Sequence, residues 1–394
     1  MQSPIDSKHA TNKQSLLKTL FFEGPLSYND ISQRQNLSMP KILSLLTELR
    51  QENKISESGQ GLSSGGRRPV LIGLADNTFY LIGVSIGFDK TSVGIMNSQC
   101  TVIGQVETLT GNVFSGIQLF DTIGQTIQTL INSQHIDSQK IIGIGIEMPG
   151  IIDSQQQINR SYFMGFDWSS LSEKWGYPVY IENDTKVRMF WERNFGLAKS
   201  LNHVLLVHAD EGIGLGMIVN GQLYSGKNGF AGEFGHLPLQ HNGKLCRCGK
   251  YGCLESIASS SAITEQAKQG LQSGTASLIS QLSHRNPENI NIEIVVQAAL
   301  TGDQFALSLL AEAAFWLGRG IALLIQLFNP ERIILSGHVV EVAPFVLPSI
   351  QQAINTFANP ITTSETDIVM LQPSAQTCVT APAAIAFQKL FLPQ

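Results

Sequence analysis

The chain has 394 residues, 43% of them hydrophobic and 14% charged, with 36 glycines and a formal net charge of −5. This composition excludes a disordered chain or a coiled coil and describes a globular protein large enough for two or three domains. No apolar run approaches the roughly 20 residues needed to cross a bilayer, and residues 1–18 are too polar for a secretory signal.

Five cysteines, three of them within eight residues, do not resemble an extracellular disulfide framework. A cytoplasmic protein without membrane insertion is expected. Charge is unevenly spread: residues 1–72 carry +3 and the remainder −8. A basic head on an acidic body predicts that the head meets a polyanion.

Residues 14–22 read as a helix with an apolar face, closed by Gly24-Pro25. Ser27 caps a short helix over 28–34 with Ile31 facing inward, and a turn follows at Gln35-Asn36-Leu37. Ser38 caps a second helix that starts at Met39-Pro40, where proline is tolerated in the first turn. Its Ile42, Leu45, Leu46 and Leu49 recur at spacings of three and four and face a core, leaving Lys41, Ser44, Thr47 and Glu48 opposite. Residues 54–57 and 69–72 pair as strands across a Gly/Ser-rich tip, 58–68.

Helix, short helix, turn, helix and hairpin is the order of a winged helix-turn-helix domain, here 1–72. Its second paired helix fits the major groove of double-stranded operator DNA, which places Ser38, Met39, Lys41 and Ser44 at base edges and phosphates. Arg67 and Arg68 reach phosphates or an adjacent minor groove from the tip. The alternative is a small helical docking domain with a solvated basic loop.

From Phe79 the pattern changes. Strands are predicted at 80–87, 91–96 and 101–106, a helix at 115–133, and a buried strand at 141–146 that runs into Met148-Pro149-Gly150. Three antiparallel strands, a helix and a parallel strand begin the nucleotide-binding fold shared by actin, hexokinase and the sugar kinases. Strands at 204–207 and 215–219 start a second set, predicting a second lobe and a cleft between lobes. The expected class is therefore α/β: a winged helix-turn-helix followed by a two-lobed, actin/hexokinase-like (RNase H-like) body. The smaller lobe takes 73–184 plus 372–394, and the larger lobe takes 185–371.

His236, Cys246, Cys248 and Cys253 form a His-x9-Cys-x-Cys-x4-Cys arrangement. Three thiolates and one imidazole satisfy tetrahedral Zn2+, and four protein ligands leave no open position, so the zinc is structural. Gly249 and Gly252 let the loop fold tightly around the ion. Reduced free cysteines in a turn are the plainer alternative.

The segments Ile144-Gly145-Ile146-Glu147-Met148-Pro149-Gly150, Ile181-Glu182-Asn183-Asp184, 229–236 (GFAGEFGH) and 246–255 (CRCGKYGCLE) together carry a resemblance over residues 10–390. In them the chain resembles the ROK family, which groups bacterial sugar kinases with sugar-responsive repressors. The repressor branch, N-acetylglucosamine- and xylose-responsive regulators among it, carries an N-terminal winged helix. The resemblance implies sugar binding by Asn183, Asp184, Glu233, His236 and Glu255, with Asp184 matching the kinases' general base. A hexose presents hydroxyls that are both donors and acceptors, and carboxylates and an amide suit such a ring. His236 can hold zinc through one ring nitrogen and a hydroxyl through the other. Lys186 and Arg188 read as surface charges.

The kinases' first phosphate loop, Asp-x-Gly-x-Thr, corresponds here to Ser85-Ile86-Gly87-Phe88-Asp89. Their second, Gly-Thr-Gly-x-Gly, corresponds to Asp210-Glu211-Gly212-Ile213-Gly214, and the double glycine near adenosine is missing after 332–336. At about 5 Å and an effective dielectric near 20, each carboxylate–phosphate charge pair costs roughly 3 kcal/mol. The expectation is a regulator with no catalytic residue: a homodimer or homotetramer that binds operator DNA and releases it on a sugar or sugar-phosphate effector. An ATP-dependent sugar kinase with a fused head, or a repressor controlled by a sugar-transport protein, are the alternatives.

Overall fold

The computed structural model describes residues 4–62, 68–110, 118–163, 166–372 and 374–391. Contacts divide the chain into two units, Met1–Phe195 with Ser374–Gln394 and Gly196–Pro373. The first division falls after residue 195.

In the head, helix α1 (Pro4–Glu23) starts ten residues before the predicted 14. Residues 4–13 have no apolar stripe, so periodicity gives no signal there. Polar side chains hold this part instead: His9 and Lys13 bond to Glu48 at 2.8 and 2.7 Å, and Lys13 to Glu52 at 2.6 Å. Further along, Leu16, Leu20 and Phe21 are buried. A two-residue strand β1 (Leu26–Ser27) leads into α2 (Tyr28–Gln35). Ser27 and Asp30 form a reciprocal capping box, and Asn36 ends the helix in the left-handed region, φ 50°.

Helix α3 (Met39–Gln51) buries Ile42, Leu45, Leu46 and Leu49 as the spacing predicts. Ser38 occupies its N-cap position but makes no side-chain cap bond, a departure from the sequence reading. Strands β2 (Ile55–Gln60) and β3 (Val70–Leu74) pair antiparallel, and β1 joins on the other side of β3.

The first α/β layer contains β4 (Tyr80–Ile86), β5 (Lys90–Asn97), β6 (Val102–Leu109), α4 (Gln118–Ser133) and β7 (Ile141–Met148). A small hairpin, β8 (Ile152–Asp153) and β9 (Ile158–Asn159), precedes α5 (Ser170–Trp175), β10 (Val179–Asn183) and α6 (Asp184–Phe195). The sheet runs β10-β7-β4-β5-β6, antiparallel across β4, β5 and β6 and parallel across β4, β7 and β10. Residues 115–117 of the predicted helix lie outside the described residues. Ile82, Val84, Ile144 and Ile146 cluster with Phe120, Ile123 and Ile127 of α4 on one face.

The second unit repeats this plan. It holds β11 (Val204–Ala209), β12 (Ile213–Val219), β13 (Gln222–Leu223), α7 (Glu255–Ala258), α8 (Ser260–Gln272), α9 (Leu278–Leu282) and α10 (Ile292–Leu300). Then come α11 (Gln304–Phe328), β14 (Arg332–Gly337), α12 (Ala343–Phe357), α13 (Pro360–Thr363) and β15 (Asp367–Met370). Its sheet is ordered β13-β12-β11-β14-β15. The 25-residue α11 is long and apolar enough by composition to cross a bilayer, contrary to the sequence expectation. Of its most apolar window, 61% is buried, in the core of this unit.

The chain returns to the first unit as α14 (Thr377–Leu390), which covers the second face of the first sheet. Gly83 and Gly145 make this possible: a Cβ at either would stand 1.8 Å from a backbone oxygen of α14, at Val379 and Pro382 respectively. Phe387 of α14 is fully buried and joins an aromatic cluster with Phe21, Phe22, Phe79 and Phe391. Phe21 and Phe22 also meet Phe195 of α6, and Phe22 meets Phe190. The head and the first lobe therefore share a core.

Candidate functional site

In the head, α3 presents Ser38, Ser44, Thr47 and an unexpected Leu43, 47% exposed, while Met39 and Lys41 are half-buried. A leucine gives no polar motif, so the sequence reading passed over it, yet an aliphatic side chain suits a thymine methyl. The Lys41 amine lies 3.1 Å from His9 Nδ1, and Ser44 Oγ donates to Glu48 at 3.3 Å. Hydrogen bonds from Lys13 and His9 hold the Glu48 carboxyl down at about 2. Polar bonds to α1 thus hold Lys41 and Glu48 in place on α3. Arg68 is exposed; Arg67 lies outside the described residues.

In the second unit the four metal-ligand candidates converge. The ligand atoms of His236, Cys246, Cys248 and Cys253 all lie within 4.8 Å of one another. Cys246 Sγ is 3.6 Å from His236 Nδ1, and Cys248 Sγ is 3.6 Å from Cys253 Sγ. Gly252, at φ 75°, turns the loop where a Cβ would stand 1.9 Å from the Gln240 carbonyl oxygen. Burial and the neighbouring thiols push the Cys253 thiol up to about 12, so ionising this thiol needs a cation beside it. Three sulfurs and one imidazole nitrogen form a donor set that fits a metal ion.

The same imidazole turns Nε2 towards Glu233 Oε2, 3.9 Å away. Glu255 is held differently: it accepts from the Ile213 backbone N–H at 3.3 Å, and Arg247 approaches it at 3.5 Å. Part of its hydrogen-bonding capacity therefore goes to supporting the turn between β11 and β12.

Asn183 and Asp184 lie in the first unit, where β10 passes into α6. Asn183 Nδ2 donates to Gly150 O at 3.2 Å, and its Oδ1 accepts from the Lys186 N–H at 3.2 Å. It thereby anchors the Met148-Pro149-Gly150 turn and the first turn of α6. Asp184 accepts from its neighbour's N–H, Thr185, at 2.6 Å. The sequence reading of Lys186 and Arg188 as surface charges is corrected: Lys186 is 5% exposed and Arg188 half-buried, because α6 packs between sheet and aromatic cluster. A helix that buries most of its faces carries too little periodicity to show this.

The predicted phosphate loops hold internal partners. Ser85 Oγ donates to Glu147 Oε1 at 2.6 Å, and Glu147 is 2% exposed. Burial raises the Glu147 carboxyl to about 7, against the opposing pull of Arg188 and the Ser85 hydrogen bond. In the second unit His338, which follows Gly337 where the second glycine was expected, places Nε2 3.2 Å from Asp210 Oδ1. Its Nδ1 is 3.4 Å from Glu341. The Asp210 hydrogen bond raises the His338 imidazole to about 9.

The second phosphate loop is thus already paired with a cation of this chain, a partner that sequence reasoning missed because 128 residues separate the two. His338 also lines an apolar cavity with Ile292, Val296, Leu310 and Val346. Because the folded pKa lies above the ordinary 6.5, the pair stabilises fully below pH 6.5 and its contribution is lost as pH rises through about 9. Thermal melts between pH 6 and 10 should show this loss, and Asp210→Asn should flatten it. An unchanged profile in the variant would rule the pair out as its source.

Compared with known proteins, the ROK family profile matches residues 81–388. The xylose repressor of Bacillus spizizenii is 32% identical over 357 residues, which cover 89% of this chain and 88% of that protein. The crystal structure of a ROK family transcriptional regulator, a homolog of the E. coli MLC protein, matches with a TM-score of 0.79 at 25% identity, covering 97% of each chain. A ROK family glucokinase from Streptomyces griseus, in complex with glucose and AMPPNP, matches with a TM-score of 0.67 at 25% identity, covering 78% of this chain and 99% of its own.

Proposed function

Because the chain belongs to the ROK family, we propose that it is a DNA-binding, sugar-responsive transcriptional repressor of carbohydrate-metabolism genes. The observation that carries this reading is the winged helix-turn-helix whose α1 shares an aromatic core with α6, the helix that begins at Asp184. A change at the start of α6 has a short packed path to the head. The repressor works in the cytoplasm as a homodimer or homotetramer. Each dimer presents two heads to half-sites of a pseudo-palindrome about one helical turn, or a multiple of it, apart.

Asn183 and Asp184 in the first unit and Glu233, His236 and Glu255 in the second supply hydrogen-bonding groups for the sugar. Structural zinc on His236, Cys246, Cys248 and Cys253 fixes the orientation of the His236 ring, whose other nitrogen faces Glu233. Sugar phosphorylation is not its activity. The pairing of Asp210 with His338 and the hydrogen bond of Ser85 to the buried Glu147 support this: in each loop a side chain at a phosphate-facing position is already engaged within the chain.

Fluorescence anisotropy with operator DNA tests the reading. One sugar of a hexose and pentose panel should weaken operator binding, and by linkage operator should weaken binding of that sugar by the same factor. The same panel with ATP and magnesium should release no ADP above background. Steady ADP release with any sugar would favour the kinase reading, and operator release without any sugar on adding a transport protein would favour the docking reading.

A further inference from the structure

The face of α3 turned away from its core is the stripe Pro40, Leu43, Ser44 and Thr47, spaced by three and four residues and exposed throughout. Leu43, the fifth residue of the helix, is the one large apolar side chain exposed on it. An isolated exposed leucine is ordinary. This one differs because the polar groups around it are engaged within the chain. Thr47 Oγ1 donates to the Leu43 carbonyl oxygen at 2.8 Å, and Ser44 Oγ donates to Glu48 at 3.3 Å. The Lys41 amine lies 3.1 Å from His9 Nδ1. Arg50, two turns beyond Leu43, donates to Tyr28 and to Glu57, each at 3.0 Å.

A recognition helix reads bases from its first turns, and the major-groove edges offer donors, acceptors and, on thymine alone, a methyl group. Guanine is read by a forked arginine or a lysine, and adenine by an asparagine or glutamine. The stripe from Pro40 to Thr47 holds none of these. A hydroxyl whose proton is already donated keeps only its acceptor capacity, whereas Leu43 presents apolar surface that nothing in the chain covers.

We infer that Leu43 is a specificity-determining residue that packs on the C5-methyl group of one thymine in each operator half-site. The inference rests on the DNA-binding reading above and names the base feature that this face of α3 recognises. Removing one methyl group from water gains roughly threefold to fivefold in binding constant.

The test uses the full-length protein and a duplex that it selects from a random-sequence library. Each thymine of a half-site is replaced in turn by uracil, which removes the methyl group and leaves the hydrogen-bonding edge unchanged. Wild-type affinity, read by fluorescence anisotropy, should fall roughly threefold to fivefold at one thymine per half-site. Leu43→Ala should bind the thymine duplex about as weakly as the wild type binds the uracil duplex, and lose little more on uracil replacement. Its melting temperature should match the wild type, since Leu43 lies off the buried face, and so should its salt dependence, since phosphate contacts are untouched. Uracil tolerated at every position, or a Leu43→Ala protein that keeps the wild-type discrimination, overturns the inference while leaving the DNA-binding reading intact. A wild type that enriches no sequence overturns both.

Discussion

Removing metal from the purified protein with a strong chelator should lower the melting temperature of the second unit by more than 10 °C, as should Cys253→Ser. Structural zinc binding is worth on the order of 10 kcal/mol in small metal-folded peptides. In a unit with its own apolar core only part of that is lost; even about 5 kcal/mol shifts melting by roughly 10–20 °C at this size. The loss follows from the loop itself. Residues 238–253 are held by turn hydrogen bonds, the turn at Gly252 and the ligand cluster with His236, with Leu245, Cys248 and Tyr251 exposed. Without a cation the Cys246 and Cys253 thiols revert to the protonated state that burial favours, and the bonds that a metal would make between Cys246, Cys248 and His236 are gone. Metal analysis should find about one zinc per chain. Full retention of melting temperature after verified metal removal would sink the structural assignment. Retained melting with loss of sugar response would move the metal's role from folding to the effector.

Truncating Phe387 to alanine should destabilise the first unit by about 3–5 kcal/mol, the usual range for a large aromatic removed from a core. Phe387 is fully buried; its ring lies 4.0 Å from that of Phe21 and 5.1 Å, stacked, from that of Phe79. At this size the melting temperature should fall by roughly 6–20 °C. The same change loosens α1 of the head from α6 and α14 of the lobe. Operator affinity measured well below the melting temperature should therefore drop, and the response to sugar should shrink more than the affinity itself. Phe387→Leu, which refills most of the volume, should restore stability and much of the response. If Phe387→Ala melts as the wild type does, the head is not fastened through this cluster. If it loses stability but keeps its full sugar response, the coupling runs elsewhere.

Both predictions concern residues whose importance the sequence shows unequally. The metal ligands stand within 18 residues of one another, and their chemistry is unmistakable at that spacing. Phe21 and Phe387 are 366 residues apart, and each alone is an unremarkable apolar residue on a helix face.

The same division runs through the whole molecule. Local rules were sufficient for the helix cap at Ser27, the buried stripe of α3, the strands and helix of the first layer, the opening strands of the second, and the clustered thiols, because each depends on neighbours close in the chain. Only the tertiary structure decided that α1 begins at Pro4, since His9 and Lys13 find their partner on α3. Only it decided that Lys186 is buried on α6 and that His338 neutralises Asp210. For α1 and for His338 the deciding partner is a charge far away in the chain. Coulombic attraction and burial act through space, and no periodicity along the sequence records them.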